Sequence, residues 1–253
     1  MTPYVHSTTD ALGITTIEFF HPAQNSLPST VLKQLAAAIQ AAGAAADTKV
    51  IVLRSGGERT FCAGASFDEL RGIEDEAQGL AFFSGFAHVI NACRLAPKLI
   101  IGRVQGKAVG GGVGLAAAVD YCLATEAASV KLSELAVGIG PFVVGPAVER
   151  KIGQSAFSQL TIDATEFRSA DWAAARGLYA EVLPDLPALD AAVRRLAERL
   201  AASSPEAMRE IKQVLWAGTA HWNALLAERA AISGRLVLSE FTSAFVRRAA
   251  SAK

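Results

Sequence analysis

Gln105-Gly106-Lys107-Ala108-Val109-Gly110-Gly111-Gly112-Val113-Gly114-Leu115 is the stretch that decides the fold. An apolar run, Leu99-Ile100-Ile101-Gly102-Arg103-Val104, precedes it and reads as a buried strand. The alanine-rich run from Leu115 to Val119 follows it and reads as a helix. The glycines therefore stand at a strand-to-helix turn. Glycine takes backbone angles closed to other residues and lets another group come close. A helix start also presents unpaired N–H groups with a partial positive charge. The turn is thus a place where backbone amides can hold a negative oxygen.

Working outward, composition bounds the answer. The 253 residues suffice for one large domain, or a domain with an appendage, and 51% are hydrophobic. Lys plus Arg and Asp plus Glu are equal at 24 each, which gives no bias toward nucleic acid or an anionic membrane. The longest uncharged apolar runs, 108–119 and 137–148, are broken by Gly or Pro and are too short to span a bilayer. The N-terminus, Met1 to His6, lacks a basic patch and an apolar segment, so no secretion signal is read. Cys62, Cys93 and Cys122 are odd in number and lack metal spacing, which fits free thiols in a reducing cytoplasm.

Along the chain, residues 12–20 read as a strand and 21–26 as a loop. A helix begins near Pro28, carries Val31, Leu35 and Ile39 on one face, and stops at Gly43. Residues 49–54 form a buried strand, and Gly56-Gly57 with Phe61–Ala65 form the next loop. Ser66 and Glu69 fit a capping box. Phe83, Phe86, Ile90 and Cys93 mark one face of a longer helix that ends before Pro97; His88 in it reads as a packing residue. Short strands are expected at 121–124 and 129–132, a Gly/Pro loop at 137–145, and helices at 145–152, 154–161 and 169–176. From Asp190 the chain reads as mostly helical, with Pro205 at one helix start. This order predicts an α/β fold with a parallel sheet and crossover helices over 1–190, and a helical region over 191–253.

Several chemistries drop out. His6, His21, His88 and His221 are scattered without metal spacing. Gly64-Ala65-Ser66-Phe67-Asp68 misses the last glycine of a nucleophile elbow. No Ser or Thr follows Lys107 as a phosphate loop requires. Gly112-Val113-Gly114-Leu115-Ala116-Ala117 does fit Gly-x-Gly-x-x-Ala, and Glu134 lies twenty residues beyond Gly114, so an NAD-dependent oxidoreductase stays open. That reading leaves Phe61-Cys62-Ala63-Gly64-Ala65-Ser66-Phe67-Asp68-Glu69-Leu70 unexplained. This segment is also a loop running into a capped helix. Two such turns, each aiming an N–H at one point, would make an oxyanion hole.

The chain resembles the crotonase (enoyl-CoA hydratase/isomerase) superfamily along nearly its whole length. The matching segments are 22–27 (Pro-Ala-Gln-Asn-Ser-Leu), 61–65 (Phe-Cys-Ala-Gly-Ala), 104–112 (Val-Gln-Gly-Lys-Ala-Val-Gly-Gly-Gly), Asp120, 133–138 (Ser-Glu-Leu-Ala-Val-Gly, with Ser for the family's Pro) and 176–182. The resemblance implies a crotonase-type ββα spiral core with a C-terminal helical oligomerisation region, forming trimers or paired trimers. It implies an acyl-CoA thioester as partner, coenzyme A being part of the substrate and no other cofactor bound. It places the oxyanion-hole amides on Ala65 and Gly111 and an acid/base on Glu134. Ser26, Leu27, Ala63, Gly64 and Phe142 would line the CoA and acyl site. The family's other acid falls on Gly114, so one carboxylate is kept and one lost. Moving a double bond needs one base, whereas hydration needs two groups to hold and split a water. The resemblance with these departures points to an isomerase-like proton shuttle, with hydration by a single acid and non-catalytic acyl-CoA binding as alternatives. Phe142 and Val144 replace two glycines common in the family's loop, and bulk there is expected to narrow the acyl pocket or to remove a water-holding amide, which argues against simple hydration. Asp68 stands where many members carry a basic residue for the CoA phosphates, leaving Arg54, Arg59 or the C-terminal helices for that task. Leu132, Leu135 and Phe142 are expected to wall Glu134 and raise its pKa.

Overall fold

A computed structural model describes residues 2–251; Met1, at the start of the segment read for a signal, and residues 252–253, at the end of the helical region expected over 191–253, lie outside it. The elements are β1 (Tyr4–Thr9), β2 (Ile14–Phe20), β3 (Ser26–Leu27), α1 (Ser29–Ala44), β4 (Val50–Ser55), β5 (Thr60–Cys62), β6 (Gly64–Ala65), α2 (Phe67–Arg71) and α3 (Glu76–Leu95). Then come β7 (Leu99–Val104), β8 (Lys107–Val109), α4 (Gly111–Ala118), β9 (Tyr121–Thr125), β10 (Ser129–Lys131), α5 (Glu134–Val137), α6 (Gly145–Ile162), β11 (Arg168–Ser169), α7 (Ala170–Ala175) and β12 (Glu181–Leu183). The chain closes with α8 (Leu186–Ala201), α9 (Pro205–Leu215), α10 (Trp222–Leu236) and α11 (Glu240–Ser251).

The larger sheet has the order β1-β2-β4-β7-β9-β12; β1 runs antiparallel to β2 and every other neighbour is parallel. Parallel strands covered on both faces carry continuous apolar runs, and every residue of β7 is buried. Helix α8 covers one face with Leu189, Ala192, Val193 and Ala197 against Val50, Val52 and Ile101. Helices α1, α3 and α4 cover the other with Leu35, Ile39, Ile90 and Val113 against Ile17, Ile51 and Ile100. A second sheet, β11-β10-β8-β5, stands where the chain leaves the first. The turn after β7 therefore contains a short strand, β8, before the helix starts, which the glycine-rich sequence concealed. β1 was also unread, because an edge strand with four exposed residues shows no alternation.

The predicted helices at 145–152 and 154–161 join as α6, with a break at Gly153, whose φ is +76°. α1 runs one residue past Gly43 and ends at Ala44. The boundary expected at residue 190 falls inside α8, a helix that packs on the sheet. Gly79 of α3 and Gly234 of α10 touch so closely that a Cβ on Gly79 would lie 2.7 Å from the Gly234 backbone. Helix α10 is thus packed into the core, with Trp222, Leu226 and Ala230 buried in it.

Candidate active site

Two carboxamides hold the first turn. Asn25, held at φ +54°, donates through Nδ2 to the carbonyls of Gly56 and Thr60, both at 2.9 Å, and accepts from the His21 N–H. Gln105, buried at the end of β7, donates through Nε2 to Ser55 Oγ and to the carbonyls of Gly57 and Thr60. The loop between β4 and β5 is fixed from both sides, and β6 after it pairs with β3, Ser26 against Gly64 and Leu27 against Ala65. Ser66 caps α2, its Oγ accepting from the Glu69 N–H. The reciprocal half of the expected capping box is absent. The Glu69 carboxylate turns to Ser29, accepting from its N–H at 2.9 Å and its hydroxyl at 2.7 Å, and so ties α2 to α1.

The second turn packs onto the first. Gly110 has φ +52°, a region that favours glycine, and donates its N–H to Lys131 O at 2.8 Å. Gly111 is the first residue of α4, so its N–H has no acceptor within the helix. A Cβ on Gly64 would lie 3.6 Å from the Gly111 nitrogen, and one on Gly112 would lie 2.3 Å from Cys62 O. Ala65 and Gly111 both line one cavity of about 340 Å³. The expected residues Ser26, Ala63, Gly64, Glu134 and Phe142 line it too. Leu27 does not: its side chain is fully buried in the core, and its carbonyl accepts from the Ser66 N–H.

Glu134 opens α5, and its carboxyl lies against the second turn. A Cβ on Gly110 would be 2.9 Å from Oε1, so a side chain there would push the acid from this position. Oε2 is buried and has no hydrogen-bond partner. Burial pushes the carboxyl up from its ordinary 4.5 to about 7, opposed by its own backbone N–H. The wall differs from the expected one. Leu135 points outward at 48% exposure, and Leu132 is buried away from the cavity; of the expected residues only Phe142 lines it. The apolar lining comes instead from Phe82, Phe83 and Phe86 of α3, with Val137, Ile139 and Val144. Phe83 and Phe86 were visible as an apolar helix face, which does not distinguish a pocket wall from a core.

The loss at Gly114 has a steric counterpart. A Cβ on Gly114 would lie 2.4 Å from Cγ1 and 2.8 Å from Cβ of Val144. Val144 thus fills the space into which a side chain at Gly114 would project. Gly114→Glu alone is expected to destabilise the fold by about 2–3 kcal/mol, the upper part of the range for overpacking a core. With Val144→Gly beside it, at least half of that loss is expected to return. Urea unfolding of both single variants and the double variant measures the coupling, and purely additive effects would contradict the steric account.

Other sequence readings are corrected or placed. His88 is exposed on α3 and is not a packing residue. Arg54 pairs with Glu18 at 2.9 Å, Asp68 is exposed, and neither Arg54 nor Arg59 lines the cavity. Gly112–Ala117 lies wholly inside α4, whose residues are all buried, so the dinucleotide-like spacing is helix-interior packing rather than a phosphate turn. Cys62, Cys93 and Cys122 are free and buried. Among the described residues, no group of His, Cys, Asp and Glu has the makings of a metal site, and no helix is long and apolar enough to cross a membrane.

The sequence profile of the family described as enoyl-CoA hydratase/isomerase matches residues 9–246. A (7aS)-7a-methyl-1,5-dioxo-2,3,5,6,7,7a-hexahydro-1H-indene-carboxyl-CoA hydrolase of Mycobacterium tuberculosis is 30% identical, over 83% of each chain. The mitochondrial methylglutaconyl-CoA hydratase of Mus musculus is 33% identical over 75% of this chain and 61% of its own. Among solved structures, an enoyl-CoA hydratase from Bacillus halodurans superposes with a TM-score of 0.88, covering 97% of this chain and 99% of that one at 19% identity. At that identity the likeness speaks for the fold alone. With the profile spanning both turns and Glu134, the chain belongs to the enoyl-CoA hydratase/isomerase family of acyl-CoA-transforming enzymes and has the crotonase fold.

Proposed function

We propose that this chain binds an enoyl-CoA thioester and converts it through an enolate, with the N–H groups of Ala65 and Gly111 as the oxyanion hole and Glu134 as the single acid/base. The observation that carries the reading is Glu134: a half-buried side chain whose Oε2 is buried without a partner in an apolar cavity, set against the turn that supplies one of the two amides. Two donors aimed at developing charge in a dry site are strong stabilisers, since losing one costs about 3–4 kcal/mol in other enzymes. A carboxyl raised to about 7 is matched to taking and returning a proton near neutral pH.

Double-bond isomerisation is the reaction best suited to these groups. It needs one base, and the room for a second acid at Gly114 is taken by Val144. Hydration is the second reading, favoured by the hydratase name of the mouse relative. Ser26, Ala63, Gly64 and the backbone at Leu27 would meet the CoA moiety, and Phe142 would meet the acyl group. Coenzyme A enters as part of the substrate, with no further cofactor. The chain would work as a trimer or paired trimer in the cytoplasm; Ile211, Val214 and Leu215 stand exposed at i, i+3 and i+4 on α9, a spacing that forms one apolar face.

The test is isotope exchange. In D₂O the protein is expected to place deuterium on the acyl carbons of an enoyl-CoA. The base must be ionised, so exchange should rise with pH to a plateau with its midpoint near 7. A rate independent of pH between about 5.5 and 8.5 would contradict Glu134 as base. Tight CoA-ester binding without exchange on any of a panel of enoyl-CoA esters would support the non-catalytic reading instead.

A further inference from the structure

A second cavity, of about 200 Å³, lies behind the first and shares Pro141 and Phe142 with it. Its other lining residues are on α6, Thr161 and Phe157 among them, and on α10, where Arg229 enters. Arg229 Nε and Thr161 Oγ1 are both buried without a hydrogen-bond partner. An unpaired buried donor carries a cost, which here falls on Nε of the half-buried Arg229 and on the Thr161 hydroxyl. Glu149 also lines this cavity but makes no ion pair with Arg229. One helical turn along α10, Ser233 lines the main cavity and donates to the Arg229 carbonyl. The same helix thus runs from the proposed reaction chamber to these unpaired donors.

We propose that Arg229 and Thr161 form a subsite for a carboxylate at the far end of the acyl chain, so that the substrate is an acyl-CoA whose acyl group ends in a second, free carboxylate. The inference rests on the acyl-CoA reading of the main cavity. The guanidinium presents a planar set of donors matched to a carboxylate, and Thr161 adds a hydroxyl donor. Phe142 stands where the two cavities meet, and the acyl chain passes its ring to reach Arg229. Gly140 gives the ring its place, since a Cβ there would lie 2.5 Å from its Cζ.

Binding of saturated CoA esters tests this without any chemistry. Titration calorimetry compares adipoyl-CoA, which ends in a carboxylate, with hexanoyl-CoA, its alkyl counterpart of equal length. The wild-type protein is expected to bind adipoyl-CoA at least tenfold more tightly, the scale of a hydrogen bond to a charged group. Arg229→Met should abolish the preference, and Thr161→Val should reduce it about threefold; thermal melts verify that each variant is folded. Equal affinity for the two esters, or a preference that survives in Arg229→Met and Thr161→Val, overturns the subsite while leaving the main cavity's reading intact. Failure of both esters to bind the wild-type protein overturns the acyl-CoA reading and the subsite with it.

Discussion

Glu134→Gln is expected to lower turnover of an enoyl-CoA by about 10²–10⁴-fold, the usual contribution of a positioned general base. The amide keeps the shape of the acid and removes only its ability to take a proton. The cavity is otherwise unchanged, so affinity for the CoA ester should stay within about threefold, as expected when an interaction acts only in the transition state. The same change has a signature in stability. The native carboxyl titrates near 7 and its ordinary value is 4.5, so the folded state holds a proton that the unfolded state releases between those pH values. The stability of the wild-type protein should fall as pH rises from about 4.5 to 7 and level off above. Glu134→Gln lacks that loss, so its melting temperature should exceed wild type at pH 8 and converge with it near pH 5. A variant that gains stability while losing activity identifies an acid kept in a hostile setting for its chemistry. Full turnover in Glu134→Gln would refute the assignment.

The largest structural effect is expected from Asp120→Ala. Asp120 Oδ2 accepts from Lys212 Nζ at 2.7 Å and from the Ile100 N–H at 2.7 Å; Oδ1 accepts from Trp216 Nε1 at 2.7 Å and from Lys212 at 2.9 Å. Its backbone carbonyl accepts from Lys151 Nζ at 3.0 Å. The Asp120 and Lys212 side chains are only 4% and 3% exposed. Removing the carboxylate leaves the Lys212 ammonium buried with only the Cys93 carbonyl as acceptor. Breaking a buried pair in this way costs about 3–5 kcal/mol, or about 10 °C in melting temperature for a chain of this size. Adding Lys212→Met to Asp120→Ala should restore part of the loss, because the stranded charge goes with it. This cluster joins the start of β7, the start of β9 and α9, and so locks α9 onto the sheet that carries the second turn. A melt of Asp120→Ala within about 2 °C of wild type would contradict that role.

These two residues show what the sequence disclosed and what it withheld. Glu134 and Asp120 were both found by pattern, but pattern gave no partners for Asp120, because Lys212 and Trp216 lie more than ninety positions away along the chain. The parallel sheet was legible because buried strands carry unbroken apolar runs, as in 49–54 and 99–104. The break of α6 was legible from Gly153. His88 was misread because a helix face read from spacing alone does not say which side meets solvent, and Leu135 because the short helix α5, which turns it outward, was not read in the sequence. The substitution pair Gly114 and Val144 shows the limit most clearly. Each departure was visible singly, thirty positions apart, but only the folded chain puts a Cβ at one within 2.4 Å of the other. Asn25 and Gln105 stood inside matched segments, yet their joint grip on the Thr60 carbonyl is a property of two loops meeting.

The most direct measurement of the central claim is the infrared stretch of a ¹³C-labelled thioester carbonyl in bound substrate or analogue. Two N–H donors, from Ala65 and Gly111, should polarise that carbonyl and move its band to lower frequency on binding, in wild type and in Glu134→Gln alike. A band at its solution frequency in the fully bound complex would mean that the two turns do not hold one oxygen, and the proposed chemistry would fail with them.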